Sequence, residues 1–297
     1  MMDYRSYLEE KEISEIRTGQ SGASVYEIDG KTILKHVVRR DLPDDRFDTY
    51  SREALFYREK NRENPPYLPE VLDAQVSDDE ITVVLKKYHP IDRTKIDDSL
   101  IRKVAALLAR IHTDRIPAFM RADSRKANLL PAEQIQHCLE GWQAVLAEHP
   151  GVFDEAPLLD ISRKLNSIIG WHDGEERLLS HGDFHWDNLL ADDAGNLLVC
   201  DWQGVCVSGE SGDISFFMSR SGADGIVINE QLFLEAYSDT VRELTGRRVD
   251  AEEIRRHMAA ANIFTTFVFW HMYLHGNDAE RVKGIYGKMV EDYHMWL

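Results

Sequence analysis

The sequence predicts an α+β chain in two parts, an antiparallel sheet with one main helix over residues 1–92 and a mostly helical part over residues 93–297. Three observations predict it. Short runs of β-forming residues separated by turn signals fill the first ninety positions. From Ser99 onward, apolar residues recur at a 3.6-residue period. Where the two patterns meet, His89-Pro90 interrupts the last early strand.

Residues 13–17, 24–28 and 31–38 read as a β-meander, with Asp29-Gly30 as a two-residue hairpin turn between the last two strands. Residues 48–59 carry Leu55 and Phe56 among charges at helical spacing, and Asn64-Pro65-Pro66 forbids continuation. Residues 71–76 and 80–87 pair around Ser77-Asp78-Asp79. Beyond the boundary at 88–93, helices are expected over 99–112, 132–148, 158–169, 231–244 and 251–275. Short strands at 178–180, 189–191 and 197–200 interrupt them, the last two joined through Asp193-Ala194-Gly195-Asn196.

At 297 residues, 43% hydrophobic and 29% charged, the chain can bury a substantial core and is not of disordered composition. Acidic residues outnumber basic ones 52 to 35, and the net charge of −17 opposes binding to nucleic acid. The same field favours a cationic substrate, although acidic surfaces also serve solubility. Three cysteines without CxxC spacing argue against a disulfide framework or a structural zinc site and fit a reducing cytoplasm. Met1-Met2-Asp3-Tyr4-Arg5 opens no secretory segment, and the apolar stretch 259–274 contains Asn262 and His271 and is too short to span a bilayer. A cytoplasmic protein with no membrane partner is expected.

The chemistry concentrates in His181-Gly182-Asp183-Phe184-His185-Trp186-Asp187-Asn188 and, after the hairpin, Asp201-Trp202-Gln203. Phosphoryl transfer requires a carboxylate to orient the attacking hydroxyl and hard oxygen ligands for magnesium. Asp183, Asn188 and Asp201 can supply that set. Two other readings use the same residues: ordinary turn chemistry, or a metallohydrolase with zinc or iron on His181-x-Asp183-x-His185. The remaining histidines, His89, His112, His172, His257 and His271 among them, form no paired HExxH-type motif.

These residues resemble the aminoglycoside phosphotransferase and choline kinase superfamily, relatives of protein kinases with the loop H-G-D-x-x-x-x-N and a later D-W or D-F. The resemblance implies a bilobal protein-kinase-like fold. It matches Asp183 to the catalytic base, Asn188 and Asp201 to the Mg²⁺ ligands, and His181 to a histidine packed beneath the site. Asp201-Trp202-Gln203 in place of D-F-G points to a small-molecule hydroxyl as acceptor, with ATP or GTP as donor. In the first part, Gly19, Ser21, Gly22 and Ser24 match a phosphate-covering loop and Lys35 the lysine that reaches the phosphates. Glu53 matches the glutamate holding that lysine, with Glu59 and Glu63 aligned less well.

Other positions stay open. Tyr88 stacks on a base or packs at the boundary. Asp213 steadies the catalytic loop or caps a helix, and His185 and Asp187 touch substrate or merely lie in the loop. Phe264, Phe267, Phe269, Trp270 and Tyr273 wall a substrate cleft or, as adjacent aromatics on an apolar helix usually do, form core, and Glu291 and Asp292 hold an amine or lie on a solvated helix face. A catalytically silent nucleotide-binding module is the rival to the kinase, and the acceptor's identity and the oligomeric state are left undetermined.

Overall fold

The computed structural model describes residues 12–16, 23–120 and 129–297. The chain divides into two compact units, one of residues 1–121, 179–207 and 216–247, the other of residues 122–178, 208–215 and 248–297.

In the first unit, β1 (Ile13–Glu15), β2 (Ser24–Ile28) and β3 (Thr32–Val38) form the expected meander. Asp29 and Gly30 both take positive φ, 52° and 67°, as the two central residues of a type I′ hairpin must. Helix α1 (Asp44–Lys60) follows, then β4 (Val71–Val76) and β5 (Glu80–Lys86). The sheet order β1-β2-β3-β5-β4 departs from a simple meander: β5 inserts beside β3 in antiparallel register, leaving β4 at the edge. Helix α1 packs across this sheet through Phe47, Tyr50, Ala54 and Tyr57, whose spacing makes one stripe that also carries Glu53.

At the end of α1, Lys60 is fully buried and donates to Glu63 (2.9 Å), Asp114 (2.8 Å) and the Arg115 carbonyl (2.7 Å). Asp114 also accepts from the Tyr67 hydroxyl. Removing one partner of such a group strands the others, so Lys60→Met is expected to cost about 3 kcal/mol in urea unfolding. A loss below about 1 kcal/mol, the range of exposed pairs, would show the network to be superficial.

The short strand β6 (His89–Pro90) leads to α2 (Asp98–His112), whose side chain of Asp97 caps the Leu100 N–H. Helices α3 (Ala132–Ala147) and α4 (Ala156–His172) belong to the second unit. Strand β7 (Leu178–Ser180) then enters the His181 loop, and β6, β8 (Leu189–Ala191) and β9 (Leu197–Val199) form a small antiparallel sheet. After β10 (Cys206–Ser208) come α5 (Glu210–Ala223) and α6 (Glu230–Thr245), the latter packed on α2 with His112 and the Tyr237 hydroxyl 2.8 Å apart in the interior.

The second unit closes around Trp142, Leu165, Ile168, Ile263, Phe267 and Tyr286. The expected helix over 251–275 is interrupted. Helix α7 (Ala251–Thr265) passes through a π-helical segment (Thr266–Trp270) into α8 (His271–Leu274). Carbonyls of that wider turn are taken up by side chains: Trp142 Nε1 donates to Phe267 O at 3.0 Å and the Cys138 thiol to Val268 O at 3.8 Å. The aromatic residues there divide. Phe267 is core, while Phe269 and Tyr273 are 46% and 69% exposed. Helix α9 (Ala279–Trp296) gives Glu291 and Asp292 the helix expected of them, but it starts well before them and Asp292 is buried rather than solvated. Among the described residues no helix is long and apolar enough to cross a membrane, and all three cysteines are free thiols.

Candidate active site

The strand pleat of the first unit builds one wall of a cleft of about 380 Å³. Val25, Lys35 and Val83 stand opposite one another on β2, β3 and β5, and Glu27, Ile33 and Leu85 form the next row on the same face. The alternate row, Tyr26, Leu34 and Val84, packs away into a small core. Asn188, Leu190, Cys200, Asp201 and Gln203 also line the cleft, as do Tyr57 and Glu53 from the α1 side and Tyr88 beyond β5.

Lys35 lies at the centre. Its ammonium donates to Glu53 Oε2 at 2.8 Å and Asp201 Oδ1 at 2.9 Å, and sits 5.0 Å from the centre of the Tyr50 ring. Burial works against its charge, but the carboxylates of Glu53 and Asp201 outweigh burial and hold the ammonium protonated, above its ordinary pKa. Glu53 is 2% exposed. Glu59 and Glu63 instead engage Arg115, and Glu63 also Lys60, so neither meets the lysine of β3.

Asp201 has φ 62° and ψ 63°, a left-handed conformation uncommon for a residue with a side chain. Bonds from Lys35 and from Gln203 Nε2 (2.6 Å) hold its carboxylate. Burial would raise its pKa, yet the charge and hydrogen bond of Lys35, with Gln203, keep it below the ordinary aspartate value. Trp202 is fully buried, stacked on Phe56 of α1 at 4.2 Å and 4.5 Å from the His181 ring, with its indole N–H donating to Val199 O. It fastens the segment carrying Asp201 to the helix carrying Glu53.

The second carboxylate belongs to the loop after β7. His181 is wholly buried, with Nε2 3.0 Å from Cys200 O and Nδ1 accepting from the Asp183 N–H at 3.2 Å. Both ring nitrogens are thus occupied by backbone, which disposes of His181-x-Asp183-x-His185 as a metal triad. Gly182 turns the chain at φ 78°, and a Cβ there would fall 2.0 Å from Gly204 O. Asn188 Nδ2 donates to Asp183 O at 2.9 Å and reaches Oδ2 at 3.4 Å, so the amide is oriented by Asp183 and its oxygen remains the acceptor end. His185 Nε2 lies 3.5 Å from Asp183 Oδ2. That contact is the largest influence on the Asp183 carboxyl, and against the opposing effect of partial burial it keeps the pKa below the ordinary value.

Asp187 points elsewhere, pairing with Arg93 and approaching Arg220 at 3.9 Å. Asp213 is buried in the first turn of α5 rather than ahead of it. Ser24 opens β2 opposite His36, whereas Gly19, Ser21 and Gly22 lie outside the described residues. Gln203 and Gly204 carry roles that the sequence reading passed over: the amide's grip on Asp201 and the close backbone approach to Gly182 appear only once β9 and the His181 loop are side by side.

A family model described as "Phosphotransferase enzyme family" matches residues 12–225. The chain belongs to that phosphotransferase family. No curated protein matches the sequence. Among solved structures, ADP-bound aminoglycoside phosphotransferase APH(2'')-Ib is similar over 99% of this chain and 97% of its own, with TM-score 0.59 and 13% identity. An aminoglycoside phosphotransferase from Alicyclobacillus acidocaldarius is similar over 100% and 94%, with TM-score 0.59 and 11% identity. Plasmodium vivax ethanolamine kinase is similar over 96% and 82%, with TM-score 0.56 and 12% identity. At these identities the likeness concerns the fold, which is the bilobal protein-kinase-like α+β fold that the sequence motifs imply. The family membership makes the chain a phosphotransferase enzyme.

Proposed function

We propose that this phosphotransferase moves the γ-phosphoryl group of ATP or GTP onto a hydroxyl of a small molecule. The observation that carries the reading is the assembly of Lys35, Glu53, Asp201 and Asn188 on one cleft, with Asn188 also bonded to Asp183. Residues 1–92 then form the nucleotide-binding lobe, with Gly19, Ser21, Gly22 and Ser24 as its phosphate loop, and residues 93–297 the lobe that carries the catalytic loop and receives the acceptor. Solved structures of this fold with ADP bound support a nucleotide donor.

Asp183, ionised at neutral pH, accepts the proton of the acceptor hydroxyl as its oxygen bonds to phosphorus and the bond from phosphorus to the β-phosphate oxygen breaks, releasing the nucleoside diphosphate. Lys35 holds the donor's phosphates, and Glu53 holds Lys35. The Asp201 carboxylate and the Asn188 amide oxygen are hard donors on the same cleft, a set that fits Mg²⁺. When bound, the ion would neutralise charge on the phosphates. The net charge of −17 favours a cationic acceptor, for which aminoglycosides and amino alcohols are the first candidates. Free thiols and the lack of a membrane-crossing helix among the described residues are consistent with work in a reducing cytoplasm.

The test is ADP and GDP release with Mg²⁺ across a panel of aminoglycosides, amino alcohols, sugars and other alcohols. Acceptor-dependent release is expected. Nucleotide-induced thermal stabilisation without turnover of any acceptor would favour the silent module instead. The pH profile adds a second test. Because the contact with His185 favours the ionised form of Asp183, His185→Ala should raise the pKa of that base, and the acid limb of kcat/KM should move to higher pH. An unmoved limb would mean that Asp183 is not the group titrating there.

A further inference from the structure

His257 is far along the chain from His172 and Glu175, yet in the second unit each of the three offers one donor atom within 4.8 Å of the other two. His172 ends α4, Glu175 follows three residues later and His257 lies midway along α7. The spacing is that of ligands rather than of hydrogen-bonded partners. His172 Nδ1 stands 3.5 Å from Glu175 Oε2, close to the roughly 3.4 Å separating two donors that share a tetrahedral metal at about 2.0–2.1 Å.

A second observation points the same way. The Nδ1 atoms of His172 and His257 are both buried and have no hydrogen-bond partner among the described residues, although His257 is only 6% exposed. A buried imidazole nitrogen without a partner costs stability unless something is bound to it.

The surroundings orient the donors. Glu175 accepts from the Ser211 N–H and hydroxyl at the start of α5, and Gly209 leaves it room: a Cβ there would fall 2.1 Å from Oε2. The Trp171 ring stacks on His257 at 5.2 Å and 18°. Arg256 lies on the Trp171 ring and adds an opposing positive charge, while Glu210 and Glu253 act on Glu175 with negative charge.

We propose that His172, Glu175 and His257 form a binding site for a divalent transition metal, Zn²⁺ by the chemistry of the donors, using residues with no part in phosphoryl transfer. Three protein ligands leave a fourth position for water or an anion. Hydrogen bonds to Glu175 serve as the outer support that such carboxylate ligands require.

The full chain, freed of metal by chelator dialysis and kept in Mg²⁺, is titrated with Co²⁺ and then Zn²⁺. One equivalent of Co²⁺ should give the visible absorption of a low-coordinate N/O site, and one equivalent of Zn²⁺ should abolish it. His257→Gln and His172→Ala should each weaken Zn²⁺ by more than 10-fold, and Ser211→Ala by about 10-fold, whereas Asp201→Ala should leave this site unchanged. Imidazole ¹⁵N shifts on Zn²⁺ addition to the unaltered protein assign the ligands even if a variant fails to fold. Absence of a stoichiometric Co²⁺ spectrum, or Zn²⁺-induced shifts at histidines other than His172 and His257, overturns the proposal.

Discussion

Asp183→Ala is expected to lower kcat by about 10³-fold or more while nucleotide affinity changes little. A positioned general base contributes roughly 10²–10⁴-fold, and the aspartate also aligns the attacking oxygen. Its carboxylate contacts Asn188 and His185 but neither Lys35 nor the strand rows of the cleft. Losing it therefore leaves the groups proposed to bind nucleotide in place. Asp201→Ala differs, because that carboxylate bonds Lys35 directly and supplies one of the proposed magnesium ligands. There both kcat and metal-dependent nucleotide affinity should fall. Single-turnover kinetics and nucleotide titration with and without Mg²⁺ separate the two patterns. Full turnover in Asp183→Ala would end its assignment as the base.

Most of the sheet and the order of the site residues were legible in the sequence because their signals are local. Asp29-Gly30 names a type I′ turn, β2 and β4 have the bounds expected from their β-formers, and Lys35 follows from its place on the strand after that hairpin. Resemblance to the family's helix glutamate selects Glu53 over Glu59 and Glu63, and helix phase agrees: Glu53 shares the stripe of Tyr50 and Tyr57, and the others do not. Illegible features depend on distant backbone. β5 beside β3 requires α1 and β4 to be spanned first, and no local pattern specifies that register. Helix α9 hides its apolar positions Val282, Tyr286, Met289 and Tyr293 behind Gly284 and Gly287, each about 1 kcal/mol unfavourable to a helix. The left-handed backbone of Asp201 has no sequence signal, since aspartate is rare there and glycine is the usual choice. Likewise nothing in the sequence joins His172 and Glu175 to His257.

Gly182→Ala should damage both stability and activity, and its matched control is built into the fold. At φ 78° an alanine pays about 1 kcal/mol for the left-handed conformation alone. Its Cβ would also overlap Gly204 O at 2.0 Å, a backbone atom two residues past Trp202 that cannot move without shifting the segment carrying Asp201. Relief of such overpacking typically costs a further 1–3 kcal/mol, giving about 2–4 kcal/mol in denaturant unfolding. Whatever remains folded should lose activity, because Gly182 lies between His181 and Asp183, and any displacement there moves the proposed base relative to Asn188. Gly195 supplies the comparison, with φ 79° but nothing within 4 Å of its Cβ position. Gly195→Ala should therefore cost only the backbone share, about 1 kcal/mol, and leave kcat within about twofold. If the two alanines proved equal in stability and activity, the close approach of the His181 loop to Gly204 would not be what holds Asp183 and Asp201 in place.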